Sequence, residues 1–264
     1  MLVSEVMLQQ TPVVRVLPAW QRWMQRWPRP ADLAADAPGE AIRAWERLGY
    51  PRRALRLHAA ATAIVERHGG EVPDDHAALL ALPGIGAYTA AAVASFAFGR
   101  RHAVVDTNVR RVLARIVTGT RYPAPALTAA ESALAERLVP AEPAVAARWA
   151  VASMELGALV CTARAPRCEA CPVADLCRWR LAGSPEHEGP PRRGQAYEGT
   201  DRYVRGLLLA ALRASDGAVR LDALVAAAPD EILRDPVQRS RALDGLVADG
   251  LVEPLPDGLF TLPT

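Results

Sequence analysis

Four cysteines fall in one short stretch, 161-CTARAPRCEACPVADLC-177, and the chain has no others. Cys161, Cys168, Cys171 and Cys177 are spaced closely enough to face one centre, and clustered thiolates in a reducing compartment serve as metal or cluster ligands rather than as disulfides. A zinc site of four thiolates usually repeats a short knuckle twice with a long insertion between, whereas this sequence has a single CxxC. Three short unequal gaps, with Pro166 and Pro172 bending the chain, point instead to a compact loop wrapped on an iron–sulfur cluster; zinc is the lesser alternative.

Two carboxylates stand where a carboxylate can do work. In 4-SEVMLQQTP-12, Glu5 lies among Val, Met and Leu, where burial disfavours its charged form and suits it to act as a general acid near neutral pH. In 103-AVVDTNVRRVLAR-115, a short apolar run delivers Asp106 to the start of a helical segment, where the helix dipole holds a carboxylate ionised and able to face a developing cation. Between them, 82-LPGIGAYTA-90 sets two glycines one residue apart between two helical stretches, a hairpin whose exposed backbone N–H groups suit a phosphate oxygen. Taken singly, each feature has a plainer reading: a solvent-facing first-turn glutamate, an aspartate N-cap, an ordinary helix-to-helix turn.

The elements that must position these groups are helical. From residue 12 to about 160, Ala, Leu and Arg recur at helix-like spacing in blocks broken by Pro or Gly, so an all-α fold is expected there. Trp20, Trp23 and Trp27 share one helix face and read as a packing stripe. Residues 182–200 lose the apolar repeat to Gly, Pro and charge and read as a linker. Beyond it, RYVRGLLLAALRAS is amphipathic, RSRALDGLVADG ends on a C-cap glycine, and LVEPLPDGLFTLP holds a Pro-Asp-Gly turn, which together suggest a winged-helix-like module over 201–264. The expected divisions are a helical lobe with the hairpin at 1–102, a second lobe with the cysteine loop at 103–181, the linker and the module.

No stretch is long and apolar enough to span a membrane and no signal peptide opens the chain, so a cytoplasmic, nucleoid-associated protein is expected. All 31 basic residues other than histidine are arginine, and the net charge is only +2. A basic face for a polyanion must therefore come from clusters such as Arg52, Arg53 and Arg56 or Arg110, Arg111 and Arg115, whose bland alternative is a solvated helix face.

The hairpin LPGIG, an aspartate about twenty residues on, and four cysteines at these gaps form a combination that resembles the helix-hairpin-helix DNA glycosylases carrying a [4Fe–4S] cluster, from residue 1 to about 181. The resemblance implies a two-lobed fold and a cluster that shapes a DNA-contacting loop, rich here in Arg164, Arg167, Arg178 and Arg180. Within that superfamily the endonuclease III branch places a lysine nucleophile beside the hairpin; Tyr88 stands there, and with no lysine in the chain water must attack. SEVMLQQT and 48-LGYPRRALRLH-58 resemble the adenine glycosylase (MutY) branch. That resemblance implies Glu5 as the acid that protonates adenine, Asp106 as the carboxylate that stabilises the oxocarbenium-like sugar, and Tyr88 and Asn108 as residues lining the pocket.

The base must be flipped from the duplex. Gln9, Gln10 and Tyr50 match family positions that enter the stack beside the opposing base, and Leu82, Gly84 and Gly86 match those whose backbone holds the phosphate. The implied partner is double-stranded DNA containing A:8-oxoguanine or A:G mispairs, met by a monomer with no membrane contact. Three features depart from the family. Its members carry a helix and a Trp- and Pro-containing segment ahead of the first motif, so either the natural start is expected upstream of Met1 or this form is truncated. The usual Tyr-Tyr is Tyr50-Pro51, and the long C-terminal domain that inspects oxidised guanine is replaced by the short module. Two rival readings are an iron–sulfur DNA-binding protein without chemistry, which would need neither carboxylate, and a glycosylase acting on mispaired thymine or uracil, which would need no acid to protonate a purine.

Overall fold

The structure, a computed structural model, describes residues 1–187, 197–226 and 235–264. Residues 188–196, the greater part of the expected linker, lie outside the described residues. In chain order the helices are α1 (Leu2–Leu8), α2 (Val13–Arg26), α3 (Pro30–Ala34), α4 (Pro38–Trp45), α5 (Arg52–His68), α6 (His76–Leu80) and α7 (Ala87–Phe98). There follow α8 (Thr107–Leu113), α9 (Ala129–Leu138), α10 (Pro143–Glu155), α11 (Arg178–Leu181), α12 (Asp201–Arg213), α13 (Leu221–Ala226) and α14 (Pro236–Ala248). Strands β1 (Val219–Arg220), β2 (Glu253–Leu255) and β3 (Leu259–Thr261) form one small antiparallel sheet in the order β1-β3-β2. The all-α reading of the first two-thirds holds, and the sheet is confined to the C-terminal module.

The chain forms two compact units whose sequences interleave. One comprises Met1–Leu2, Asp74–Leu80 and Gly86–Arg192; the other comprises Val3–Pro73, Ala81–Ile85 and Arg193–Thr264. The first is built round α7, whose residues from Thr89 to Ser95 are all buried. Such a helix, apolar on every side, can only be an interior one. Ala91 and Ala92 pack with Val104 of the approach to α8 and Ala150 of α10. Helices α9 and α10 start on side-chain caps, Thr128 with Glu131 in a capping box and Glu142 ahead of Pro143.

In the second unit the tryptophan stripe packs as expected. Trp23 and Trp27 are buried, and the Trp23 ring meets Trp27 and Trp45 edge-on at 4.9 and 5.6 Å. In the C-terminal module, α12 and α14 pack together, the turn Pro256–Gly258 joins β2 to β3, and Leu255 pairs with Leu259. Three helices and a three-stranded sheet in this order make a winged-helix-like unit.

The arginine clusters require a correction. Neither a basic face for a polyanion nor a solvated helix face describes Arg53 and Arg115, which are buried to 6% and 1% exposure. Arg110 pairs with Glu131 and donates to the carbonyl of Ala124, and Arg111 donates to the carbonyls of Cys161 and Gly157. The forked guanidinium can satisfy several carbonyls at once, so these side chains are drawn inward.

Candidate active site and cluster loop

In the second unit, α1 carries Glu5 on its buried side, 8% exposed beside Val6 and Met7. The chain leaves α1 through Gln9 and Gln10, and Gln10 takes a left-handed backbone conformation with φ of 57°. A second tight turn follows α4, where Glu46, Gly49 and Tyr50 have φ of 49°, 82° and 48°. Left-handed backbone at three non-glycine residues is costly and persists only where the surroundings enforce it.

Arg53 is that enforcement. Its Nη1 donates to the carbonyls of Val6 at 2.9 Å and Gln9 at 2.5 Å, and its Nη2 donates to Gly49 O at 3.1 Å and Thr11 Oγ1 at 3.3 Å. Thr11 Oγ1 in turn donates to Leu48 O, and Trp45 Nε1 donates to Gly49 O. One buried guanidinium thus ends α1 and ties the Gln9–Gln10 segment to the Tyr50 turn. Burial pushes its pKa below the ordinary arginine value, with the nearby Tyr50 opposing. Gln10 and Tyr50 are left exposed at the tips of the two joined turns, Tyr50 by 52%.

The hairpin follows α6. Leu82 and Ile85 are buried, while Gly84 has φ of 74° and lies so close to Arg56 that an added Cβ would come within 2.5 Å of that side chain. Gly86 is the N-cap of α7, and the first N–H groups beyond it are those a helix cannot satisfy internally.

In the first unit, Tyr88 sits half-buried in the first turn of α7, packed on Ala91, Ala92, Val104 and Ala150. Asp106 is the N-cap of α8 and both its oxygens are engaged. Oδ1 accepts from Val109 N at 2.6 Å and Oδ2 accepts from Asn108 Nδ2 at 2.8 Å. Asn108 Oδ1 accepts from Arg111 Nη2 at 2.8 Å, and Arg111 Nε donates to Cys161 O at 2.8 Å. A continuous set of hydrogen bonds therefore runs from the capping carboxylate to the first cysteine. Gly157 allows it, since a Cβ there would stand 2.7 Å from that of Asn108.

Helices α8 and α10 each end in a single π-turn, Ala114–Thr118 and Leu156–Val160, of the kind often found at functional sites. The first carries Arg115 and the second leads straight into Cys161. Cys161, Cys168, Cys171 and Cys177 are all free thiols and line one small cavity with Arg115 and Trp179. Arg115 Nη1 lies 3.3 Å from Cys161 Sγ, and its guanidinium sits 4.9 Å over the Trp179 ring. Burial, followed by the neighbouring thiolates and Glu169, pushes the Cys168 thiol up. Four thiols lining one cavity beside a buried cation fit an anionic iron–sulfur cluster. Among the described residues no three His, Cys, Asp or Glu groups close on a single ion.

Glu5, Gln9, Gln10 and Tyr50 are thus brought together in one unit, and Asp106, Asn108 and the four cysteines in the other. Arg53, Arg111 and Arg115, which the sequence reading placed in basic clusters, serve instead as internal ties to backbone carbonyls. A signal for two of them existed: Asn108, Arg111 and Arg115 recur at i, i+3 and i+7, one face of a helix.

A helical fold with a glycine hairpin, a capping aspartate and a four-cysteine loop defines a class of DNA base-excision proteins, and comparison with known families agrees. The chain belongs to the HhH-GPD superfamily of base excision DNA repair proteins, whose profile matches residues 3–137. Residues 161–177 match the iron–sulfur binding domain of endonuclease III, so an iron–sulfur cluster is the chain's cofactor.

The chain is 52% identical over 262 residues to an adenine DNA glycosylase of Mycobacterium tuberculosis, covering 99% of this chain and 84% of that protein. It is 43% identical over 211 residues to the adenine DNA glycosylase of Homo sapiens, covering 74% of this chain and 38% of that protein. Among solved structures, a thermostable thymine-DNA glycosylase superposes with a TM-score of 0.61 at 30% identity, covering 69% of this chain and 83% of the other. A non-covalent endonuclease III–DNA complex superposes with a TM-score of 0.60 at 26% identity, covering 69% of this chain and 83% of the other.

Proposed function

We propose that this protein removes adenine mispaired with 8-oxoguanine or guanine from double-stranded DNA, by hydrolysis of the N-glycosidic bond and without strand cutting. The observation that carries the substrate assignment is the 52% identity, over 99% of the chain, to a protein named as an adenine DNA glycosylase. The thymine reading has weaker support, from a structure 30% identical over a smaller share of the chain. A non-catalytic iron–sulfur protein would leave the buried Glu5 and the doubly hydrogen-bonded Asp106 without a task.

In this reading Glu5 donates the proton that turns adenine into a neutral leaving group. The two hydrogen bonds on Asp106 aim it, so that its carboxylate stabilises the positive charge developing on the sugar. Tyr88 and Asn108 orient the acid and the attacking water. With no lysine in the sequence there is no lysine amine for a Schiff base, and water is the nucleophile. Tyr50, Gln9 and Gln10 fill the space the flipped adenine leaves, and backbone amides around Leu82, Gly84 and Gly86 hold a phosphate.

Cys161, Cys168, Cys171 and Cys177 ligate the cluster, which when bound fixes the loop bearing the exposed Arg164, Arg167, Arg178 and Arg180 against DNA. The lobes 1–102 and 103–181 and the module 201–264 serve as the parts of a monomer working on DNA in the cytoplasm, at the nucleoid. No described helix is long and apolar enough to cross a membrane.

The test is Glu5→Gln in single-turnover assays on duplexes with A opposite 8-oxoguanine, G, C or T. Base release is expected to vanish while mispair binding persists, because a proton donor acts in the transition state and hardly in docking. Undiminished release would remove Glu5 from the acid's role.

A further inference from the structure

The C-terminal module is joined to α4 at both ends of that helix. At its start, Gly39 N donates to Pro263 O at 2.8 Å. Glycine is required there, because a Cβ would come within 2.5 Å of Pro263 O and 2.9 Å of Leu262 Cβ. At its end, Arg213 of α12 donates through Nε to Ile42 O at 2.9 Å and through Nη1 to Glu46 O. Arg43 of α4 answers by donating to the carbonyls of Arg213 and Ser215 at the end of α12. Each helix thus caps the C-terminus of the other with an arginine, placing positive charge at both negative dipole ends. Burial brings the Arg213 pKa down to about 10, so it remains charged at neutral pH.

Glu46 and Arg52, which bracket the Tyr50 turn, are both held by this module. Glu46 O is one of the acceptors of Arg213, and Arg52 pairs at 3.1 Å with Asp249, which also pairs with Arg205. Meanwhile the module is a poor candidate for a grip on a polyanion, since residues 201–264 contain seven arginines against ten acidic residues.

We propose that the C-terminal module is a brace: through Gly39, Arg213 and Asp249 it fixes α4 and the turn after it, and so sets the Tyr50 side chain in the position from which it enters the base stack. Arg213 and Gly39 are positioning residues that touch no substrate. The inference rests on the wedge role of Tyr50 given above. It assigns the module a mechanical part in base flipping and no contact with a base of its own.

The experiment compares single-turnover excision, at saturating full-length protein, from adenine opposite guanine and from adenine opposite an abasic site. An unpaired adenine needs far less help to leave the stack. Arg213→Met and Tyr50→Ala are both expected to slow excision opposite guanine by about tenfold or more and to leave the unpaired substrate within about threefold, with partial rescue by Arg213→Lys.

Should Arg213→Met fail to fold, Gly39→Ala is read the same way, because alanine strengthens α4 as a helix while its methyl displaces Pro263. A variant of Arg213 or Gly39 that slows both substrates equally, or neither, while Tyr50→Ala remains selective, overturns the brace and leaves the wedge standing. Equal behaviour of Tyr50→Ala on both substrates overturns the wedge, and the brace with it.

Discussion

Arg53→Met tests how much of the second unit hangs on one buried cation. Methionine keeps the stem of the side chain and removes its donors, so little cavity opens. Four close acceptors lose a partner, Val6 O, Gln9 O, Gly49 O and Thr11 Oγ1, and Met7 O loses a longer one at 3.5 Å. Three of these acceptor residues are partly compensated, since Trp45 Nε1 still donates to Gly49 O and the single Thr11 hydroxyl proton is shared between Gln9 O and Leu48 O. Val6 O, which takes the 2.9 Å bond from Arg53, bears the largest cost. A buried acceptor that loses its charged donor costs about 1–3 kcal/mol, and three partly compensated charge-assisted bonds cost about 1 kcal/mol each, so a loss of about 4–6 kcal/mol is expected.

For a chain of this size each kcal/mol lowers the melting temperature by about 2–4 °C, which predicts a fall of about 8–24 °C. Arg53→Lys should recover less than half of it, because one ammonium cannot reach acceptors on both sides of the side chain. The assay is thermal unfolding of the purified chain, followed by excision of adenine opposite guanine at a temperature where each variant stays folded. A fall under about 2 °C with unchanged excision would refute the reasoning, since α1 and the Tyr50 turn would then be holding themselves.

Two other expectations follow from particular groups. Asp106→Asn should lower stability by only about 1 kcal/mol, because asparagine still caps α8 through its one oxygen while losing the bond from Asn108 Nδ2, and should reduce excision by about 10²–10³ in a single-turnover assay. Burial, then the stacked His76, pushes His102 below the ordinary histidine value against the pull of Glu136. Its neutral form is therefore the folded one: stability is full above about pH 6.5 and declines as acid protonates the unfolded chain first, so His102→Gln should flatten melting temperature between about pH 7 and pH 5.

Much of this architecture can be read from local sequence. The period of the apolar residues from 12 to 160 gives helices because a packed helix must present one face inward, and PLPDGLF gives a hairpin because Asp257 and Gly258 supply the left-handed residues its turn uses. The cysteine gaps and the placing of Asp106 before α8 are likewise local, and local chemistry suffices to read them. The interleaving of the two units is different in kind. Residues 201–264 join the unit of 3–73 through contacts such as Arg43 with Ser215, 172 residues apart, and no window of sequence contains both partners. Gly39 shows the limit well. In the sequence it is an unremarked glycine after a proline, and only the approach of Pro263 explains why a residue that weakens helices stands inside one.

The arginines show why charge patterning misled where apolar patterning did not. A leucine has one use for a helix face, burial, so its spacing reports the fold. A guanidinium has two, a polyanion outside or carbonyls within, and a run such as Arg52-Arg53 contains one of each: Arg52 is exposed and pairs with Asp249, while Arg53 turns inward to four acceptors. What separates them is a supply of unsatisfied carbonyls, and those occur where helices end. Arg53 ends α1, Arg213 ends α4, Arg43 ends α12 and Arg111 meets the carbonyls at the end of α10. A chain built from short helices has many such ends, each with carbonyls that water cannot reach once packed. The side chain that can serve several of them at once is arginine, so in this protein the buried arginines mark the joints of the fold.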